Sequence, residues 1–397
     1  MDATEILEAA KNIQNELVTH RRTLHKNPEV GSHLPHTAAY VTQQLSALGY
    51  TPISLCDSGI VATITGQDTG RCILLRADMD ALAVTEDTQL DFQSTNGNMH
   101  ACGHDMHTAM LLGTAALLQK FRHELCGTVK LVFQPDEEGF SGAKSMLDAG
   151  VLNDPASQAG LALHVHSGTP SGMILCGKGT FMAGCTVFRI TVTGVGCHGA
   201  MPETGIDPIN AAAHIYCALQ TILCRETSPK EPLAITIGSF QAGYGPNILP
   251  QEAVMEGTIR SFRQELSQQV LERIRNISQH IAAGLRCQAE VDMLASAPPL
   301  ENDPELTEQI ATYAESLVGA SSVIRLDEGG MGSEDFAAYT HQIPCAYLLL
   351  GAGTEKESPL YGKPMHNEQV VFNEEILTVG AALETYSAIE WLKKQAP

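Results

Sequence analysis

The sequence predicts an α/β protein in which a smaller domain is inserted into a larger one. Two observations support this fold class. Apolar strand-like runs alternate with helical segments near both ends of the chain, whereas the middle follows a β-α-β-β-α-β order. The length of 397 residues is also typical of about two or three domains.

The first part of the chain alternates helices with buried strands. Apolar residues between Ile6 and Leu24 recur at helical spacing, and Pro28 ends this amphipathic helix. Strands are predicted at residues 59–65, 72–76 and 128–134, with a helix at 108–121. This alternation favours a mixed, largely parallel sheet flanked by helices, and sites in such sheets collect at the carboxyl ends of the strands.

The middle of the chain predicts a separate unit. Strands and helices are expected in the order of a split βαβ unit, at residues 186–193, 207–225, 233–240, 253–259, 266–285 and 289–294. About a hundred residues of this kind can fold as a domain of their own. We therefore assign 185–295 to the inserted domain and 1–184 with 296–397 to the larger domain. The pattern of the larger domain resumes with a strand at 346–350 and a helix at 373–394.

Charge and cysteine usage restrict the possible partners and location. The formal net charge is −21, from 24 Lys plus Arg against 45 Asp plus Glu, and such a field repels nucleic acids and anionic membranes. The eleven cysteines form no C-x-x-C pair, which is typical of reduced thiols. The N-terminus lacks a signal-peptide pattern, and no run of about 18 apolar residues occurs. We expect a soluble cytoplasmic protein.

Residues 99–107 concentrate side chains that bind metals. This segment contains one thiol, three imidazoles and one carboxylate. Cys102 and His104 are two residues apart, so in a loop they can bind one ion as thiolate and imidazole. A buried cysteine next to a helix-capping histidine explains the pair equally well, and the segment alone leaves both interpretations open.

Two adjacent carboxylates follow the strand at 128–134. A turn there can direct one of Glu137 and Glu138 at a metal ion and the other at a water molecule on that ion. A solvated acidic turn is the commoner role of such a pair. Their position at a strand end favours the site, and burial of both carboxylates requires a cation nearby.

Two histidines elsewhere in the chain can complete such a site. His164 ends an apolar run and His366 lies in a predicted loop; taken singly, each is typical of a hydrogen-bonded structural histidine. Together, one thiolate, three imidazoles and one carboxylate suit two borderline divalent ions, such as zinc, manganese, nickel or cobalt. Two such ions about 3.5 to 4 Å apart can activate a shared water for attack on a carbonyl, and Glu137 would then act as the general base.

Asp78 and Asp80 follow the strand at 72–76. An acid at this position can hold a ligand imidazole by its second nitrogen. An ion pair with Arg76 or a helix cap is an equally good interpretation. The sequence contains no G-x-S-x-G and no H-E-x-x-H motif, which argues against a serine hydrolase of the α/β type and against a zincin.

Six segments occur in a characteristic order along the chain. They are RTLHKNPEVG (22–31), LRADMDAL (75–82), HACGHD (100–105), QPDEEG (134–139), GIDP (205–208) and GSEDF (332–336). Together they resemble the dinuclear metallopeptidase and aminoacylase family (peptidase family M20), in its branch of hippurate hydrolases and auxin-conjugate hydrolases. The resemblance extends from about residue 20 to about residue 370.

The resemblance implies a catalytic α/β domain with an inserted ferredoxin-like lid that usually dimerises. By position it implies five metal ligands, which are Cys102, His104, Glu138, His164 and His366. It also implies that Glu137 is the general base and that Asp80 is the acid that orients a ligand. Asp78 stands where many relatives have a ligand histidine.

The resemblance assigns roles in the inserted domain as well. His198 matches a histidine that reaches the partner subunit's site and polarises the scissile carbonyl. Asn247 and Arg260 match residues that bind the substrate's carboxylate, a task that suits an arginine fork. Without the resemblance, His198 is a loop histidine and Arg260 a surface charge. His166 stands where close relatives usually have a tryptophan, so either one wall of the cleft is more polar or this position supplies an extra ligand.

The sequence therefore predicts a metal-dependent amidohydrolase that cleaves the amide of N-acyl amino acids, of the hippurate or N-acetyl type. We expect a homodimer joined through the lid. A dipeptidase or carboxypeptidase with the same dinuclear site is the alternative among enzymes. A non-catalytic protein that binds such conjugates is the alternative in another class, and the presence of Glu137 with all five ligands argues against it.

Overall fold

The computed structural model describes residues 2–67 and 70–394, which form two compact units. The larger unit contains the described residues up to Phe181, then Glu301–Gly329 and those from Asp335 onward. The smaller unit contains Met182–Leu300 and Gly330–Glu334. Among the described residues, no helix combines the length and the apolar character that crossing a membrane requires.

The described residues contain ten α-helices and sixteen strands. The helices are α1 (Ala3–Asn12), α2 (Gln14–His25), α3 (Pro35–Ala47), α4 (His104–Lys120), α5 (Gly142–Asp148), α6 (Pro208–Thr221), α7 (Gln264–Gly284), α8 (Pro304–Val318), α9 (Ala337–Thr340) and α10 (Leu377–Lys394). The strands are β1 (Ile53–Leu55), β2 (Gly59–Thr65), β3 (Cys72–Asp78), β4 (Thr128–Gln134), β5 (Ala159–His166), β6 (Ile174–Cys176), β7 (Gly179–Met182), β8 (Gly184–Thr193), β9 (Cys197–His198), β10 (Leu233–Ala242), β11 (Ile248–Leu249), β12 (Glu252–Ser261), β13 (Gln288–Ala297), β14 (Leu300–Asn302), β15 (Val323–Arg325) and β16 (Cys345–Gly351).

The larger unit is built on an eight-stranded sheet with the strand order β1-β2-β4-β3-β5-β16-β6-β15. The central strands β4, β3, β5 and β16 are parallel to one another. Antiparallel pairs join β1 to β2, β2 to β4 and β16 to β6. Helices α4 and α10 pack against β3, against β5 and against each other. The predicted α/β class with a mixed, largely parallel sheet is confirmed.

The central elements of the larger unit are buried on almost all sides. Every residue of β3 and β4 is buried, as expected of parallel strands that are covered on both faces. Helix α4 is also buried on almost all sides, since it lies between the sheet, α2 and α10. The polar residues at the carboxyl ends of β3 and β4 border the candidate site.

The smaller unit has its own four-stranded antiparallel sheet in the order β10-β12-β8-β13. Its long elements follow the chain order β8-α6-β10-β12-α7-β13, which is the predicted β-α-β-β-α-β arrangement. The sequence-based boundaries placed Gly330–Glu334 with the larger domain, whereas these residues belong to the smaller unit. Gly330 bridges Met182 and accepts a hydrogen bond from the Ala183 N–H (3.0 Å).

Two predicted helices are interrupted or partly replaced by another backbone conformation. The prediction of one continuous opening helix is wrong, because Ile13 has a non-helical backbone (φ −104°, ψ 12°) between α1 and α2. Apolar spacing continues across Ile13, so periodicity alone does not detect the break. The helix predicted at 207–225 ends at Thr221, and Ile222–Glu226 form a π-helical turn.

Candidate metal centre

The five predicted ligands lie together in the larger unit as two overlapping groups. Ligand atoms of Cys102, His104 and His164 lie within 4.8 Å of one another, and so do those of Cys102, Glu138 and His366. Cys102 belongs to both groups, since its Sγ is 3.6 Å from His164 Nε2 and 3.2 Å from His366 Nε2. The structure therefore brings together all five side chains that the sequence assigned to metal binding.

The local backbone explains why Cys102 and His104 face the same space. Gly103 has a φ of +87° and directly precedes α4, which begins at His104. A Cβ atom at Gly103 would lie 2.3 Å from Val165 Cγ2. Both the positive φ and the close approach therefore require glycine, and the turn at Gly103 fixes the thiol relative to the imidazole.

Glu137 and Glu138 lie in the turn that follows β4. Glu138 Oε1 is 3.3 Å from His366 Nε2, and the Glu138 N–H donates to Asp80 Oδ2 (3.1 Å). Glu137 Oε2 lies 3.9 Å from His104 Nε2. Glu137 is buried and Glu138 is half-buried. The pair is therefore part of the cluster and not a solvated acidic turn.

Asp80 contacts two of the predicted ligands. Its Oδ1 lies 3.3 Å from His104 Nδ1, and its Oδ2 accepts the hydrogen bond from Glu138. The opposite ring atom, His104 Nε2, is buried and has no hydrogen-bond partner in the part of the chain that the structure describes. A carboxylate behind a ligand imidazole fixes the orientation of the ring, so these contacts are the ones that the predicted role of Asp80 requires.

We expect Asp80→Asn to weaken zinc binding by about 10- to 100-fold, the size of effect that loss of a carboxylate behind a ligand has. The amide keeps the shape of the side chain but removes the charge that supports His104. Titration of metal-free protein with zinc against a chromogenic chelator measures the change. Asp303→Asn is the control. Like Asp80, Asp303 is an aspartate that accepts hydrogen bonds from the backbone, here from two N–H groups at the start of α8. An unchanged zinc affinity in Asp80→Asn would contradict the orienting role.

Negative charge dominates the cluster. Burial opposes protonation of His104, but Asp78 and other nearby carboxylates outweigh burial and raise its pKa to about 10. Burial, and then nearby carboxylates, raise the pKa of the Cys102 thiol. The carboxylates contribute to both shifts, and buried acidic groups of this kind favour a cation nearby. The donor set and the unpartnered His104 Nε2 fit divalent metal ions, which also stabilise a thiolate.

His107 lies behind the ligand cluster. Its Nδ1 is 2.6 Å from Asp78 Oδ1, and the Val165 N–H donates to its Nε2 (2.8 Å). Both ring nitrogens are thus engaged within the protein. Asp78 also forms an ion pair with Arg76 (Nη1–Oδ2 2.5 Å). The ion pair with Arg76, one of the alternatives for Asp78, is therefore present, and the imidazole that Asp78 holds is that of His107, which is not among the five predicted ligands.

The remaining predicted residues lie in the smaller unit. His198 is in β9, which pairs with β11, and the neighbouring Gly199 N–H donates to Asn247 O (2.8 Å). His198 and Asn247 are therefore close together, and both are exposed. Arg260 in β12 is half-buried and donates from Nη1 to Ser333 Oγ (2.8 Å). Arg260 is thus not a free surface charge.

The sequence interpretation assigned no role to a buried network next to Glu137. Arg76 connects Asp78 with Asp335, and Gln134 Nε2 donates to Asp335 Oδ1 (2.8 Å). Arg76 and Gln134 are polar residues within strands whose positions are all buried. Because such groups are buried only with partners, their positions signal a polar network, although they do not identify its members.

Comparisons with known proteins identify the relatives of this chain. The family model described as Peptidase family M20/M25/M40 matches residues 74–388. N-acetylcysteine deacetylase of Bacillus subtilis is 37% identical over 94% of this chain and 96% of its own. Thermostable carboxypeptidase 2 of Saccharolobus solfataricus is 36% identical over 99% of this chain and 100% of its own. IAA-amino acid hydrolase ILR1-like 2 of Arabidopsis thaliana is 35% identical over 99% of this chain and 89% of its own.

A solved structure of an M20-family peptidase is also similar to this chain. The crystal structure of a dinuclear metal-binding peptidase of the M20 family from Bacillus subtilis has a TM-score of 0.79 and 34% identity to this chain. The match covers 96% of this chain and 99% of that one. The resemblance found in the sequence is confirmed, and the chain belongs to peptidase family M20/M25/M40.

Proposed function

We propose that this protein is a metal-dependent amidohydrolase that cleaves the amide bond of N-acyl amino acids, releasing a carboxylic acid and a free amino acid. The observation that carries the proposal is the cluster of five ligand side chains next to Glu137. Two relatives, named as a deacetylase of N-acetylcysteine and a hydrolase of IAA-amino acids, support this substrate class. The predicted enzyme class, a hydrolase, is confirmed by the family.

A peptidase with the same site is the second candidate. The relative named thermostable carboxypeptidase 2 favours it. An N-acyl amino acid and a dipeptide share the scissile amide and the carboxylate, and they differ in the group on the acyl side. The residue that concerns this difference is His166, which the family resemblance places at a wall of the cleft. His166 is half-buried, and its Nδ1 lies 2.8 Å from Thr169 Oγ1.

Two divalent ions, of zinc, manganese, nickel or cobalt, suit the donor set. The two donor groups that share Cys102 support two adjacent ion positions, with His104 and His164 on one side and Glu138 and His366 on the other. A similar solved structure is described as dinuclear. When bound, such ions polarise a carbonyl group and lower the pKa of water toward about 7.

The side chains of the protein move the proton and hold the substrate. Glu137 takes the proton from the attacking water and delivers it to the nitrogen of the leaving amine. His198 reaches the site of the partner subunit and polarises the scissile carbonyl there, while Asn247 and Arg260 bind the carboxylate of the substrate. A guanidinium suits this last task because its planar fork matches a carboxylate.

Assembly and location are further parts of the proposal. We assign catalysis to the larger unit, and to the smaller unit the roles of a lid and of the contact in a homodimer. The edge position of β10, with Phe240 exposed, supports the dimer, because an edge strand can pair with a second copy. A cytoplasmic location is supported by the eleven cysteines, all of which are free.

A substrate screen tests the proposal. We expect protein loaded with zinc or manganese to release free amino acid from N-acetyl and N-benzoyl amino acids, measured by an amine-reactive dye. Chelation should abolish the release and added metal should restore it. Release from dipeptides alone would replace the amidohydrolase by the peptidase. No release from either class of substrate, with both ion positions filled, would contradict the proposed function.

A further inference from the structure

The side chains of Arg76, Gln134 and Asp335 form a network that is buried next to the turn of Glu137. The exposed fraction is 2% for Arg76 and for Asp335 and 0% for Gln134. Charged and amide groups buried this deeply require bonded partners. The mechanism proposed above uses none of the three residues, so their presence needs a separate explanation.

The carboxylate of Asp335 accepts hydrogen bonds from Arg76, Gln134 and Ala143. Arg76 Nη2 donates to Oδ1 (2.9 Å), and Gln134 Nε2 lies 2.8 and 2.9 Å from the two oxygens. The Ala143 N–H donates to Oδ2 (2.8 Å). Gln134 is fixed in turn, because its Oε1 accepts a hydrogen bond from Arg76 Nε (3.1 Å). The rigid guanidinium therefore immobilises Asp335 both directly and through Gln134.

The backbone of Asp335 connects this network to Glu137. The Asp335 N–H donates to Glu137 Oε1 (3.3 Å), whereas Oε2 is the oxygen that lies 3.9 Å from His104 Nε2. The two oxygens of Glu137 thus have different surroundings. The terminal torsion of a glutamate is otherwise broad, so a hydrogen bond to Oε1 restrains the carboxylate and keeps Oε2 at the ligand cluster.

We propose that Asp335, held by Arg76 and Gln134, is a positioning residue that fixes Glu137 so that Oε2 accepts the proton of the attacking water. The inference rests on the proposed role of Glu137 as general base. Asp335 acts through its backbone N–H, and its side chain keeps that N–H in place. A general base must lie within about 2.6 to 3.2 Å of the group it deprotonates, so a small rotation of Glu137 lowers the rate while the ligands stay in place.

Gln134→Met tests this role without a change of charge. Methionine has a similar length but offers Asp335 no hydrogen bond, so the N–H on Glu137 Oε1 is no longer fixed. We expect kcat to fall by about 10- to 100-fold, as when a catalytic geometry shifts by about 1 Å, while KM and metal content change by less than about twofold. Asp335→Asn weakens the same network, so it should likewise lower kcat and leave KM nearly unchanged.

The effect must also depend on Glu137. In a Glu137→Gln background, Gln134→Met should cause no further loss of turnover, because the positioned group is already absent. A merely structural role would lower turnover by the same factor in both backgrounds. Gln158→Met is the control for loss of a glutamine hydrogen bond distant from Glu137, because Gln158, an exposed residue, accepts a hydrogen bond at Oε1 from the Cys72 N–H (2.7 Å) at the opposite end of β3.

The outcomes separate this inference from the proposed function. The positioning role is wrong if Gln134→Met lowers kcat no more than Gln158→Met does. It is also wrong if Gln134→Met lowers kcat by the same factor in the wild type and in the Glu137→Gln variant. In either case the role of Glu137 stands. If Glu137→Gln itself retains turnover, Glu137 is not the general base and this inference fails with that role, whereas the proposed function fails only if the substrate screen shows no release. Thermal unfolding of each variant shows whether the protein is folded. If Gln134→Met does not fold, the kinetics of Asp335→Asn test the positioning role instead.

Discussion

Glu137→Gln is expected to lower kcat by about 10³-fold, within the range observed when a general base is lost, while the protein keeps its metal ions. Glu137 is buried, and its Oε2 lies 3.9 Å from His104 Nε2. Glutamine has the same shape but cannot accept the proton of the attacking water. Turnover of an N-acyl amino acid, by protein whose metal content is known from mass spectrometry, gives the result.

The neighbouring residue supplies the matched comparison. Glu138 Oε1 lies 3.3 Å from His366 Nε2 and belongs to the ligand group, so Glu138→Gln should lower the metal content. Its activity should recover in part at high metal concentration, whereas that of Glu137→Gln should not. A fully loaded Glu137→Gln protein with turnover close to that of the wild type would show that another group is the base.

The ligand cluster could be predicted in part because its residues follow apolar strands. Glu137 and Glu138 lie in the turn that follows β4, and His164 lies near the end of β5. His366 has no such signal: it lies in a loop with a φ of 64°, and its N–H donates to Ala101 O (2.9 Å). Taken alone, His366 is typical of a structural histidine; it joined the predicted site through the combined donor set and through the resemblance to a family.

The network next to Glu137 could not be predicted from local pattern. Arg76 and Asp335 are separated by 259 residues along the chain. The parallel alignment of β3 with β4 places Asp78 beside Gln134, and the fold then brings Asp335 to both Arg76 and Gln134. A sequence shows that a buried arginine needs an acid, but the folded sheet decides which acid it meets.

Element boundaries were predictable where apolar runs end abruptly. Strands β2 and β4 occupy the predicted residues 59–65 and 128–134. Helix α4 was predicted from Thr108 but begins at His104. The first turn of α4 contains His104 and Asp105, and these polar residues obscure the apolar period on which the prediction depended. The start of α4 was therefore missed because the residues of the candidate site occupy it.

The second large predicted effect is on the pH dependence of the free energy of unfolding, and it comes from Glu384. This residue of α10 is 2% exposed, and its Oε2 accepts a hydrogen bond from Thr114 Oγ1 of α4 (2.6 Å). Burial raises the pKa of the Glu384 carboxyl to about 8, although the bond from Thr114 opposes the shift. The carboxyl is therefore mostly protonated at neutral pH in the folded protein.

The direction of the pH dependence follows from this shift. The ordinary pKa is 4.5, so between pH 4.5 and 8 the unfolded chain releases a proton that the folded protein retains. The stabilising contribution is complete below pH 4.5 and is lost as the pH rises through 8. At about 1.4 kcal/mol for each pKa unit, the loss reaches about 3 kcal/mol at pH 7.

Glu384→Gln removes this dependence because an amide does not titrate. The free energy of unfolding of the variant, relative to that of the wild type, should rise by about 3 kcal/mol between pH 4.5 and pH 7. Urea unfolding monitored by the fluorescence of Trp391, the single tryptophan and also on α10, measures this difference. Glu390→Gln on the same helix, where the carboxylate lies 3.4 Å from Lys393 Nζ, should show no such rise. Parallel pH profiles for Glu384→Gln and the wild type would mean that Glu384 is ionised within the fold.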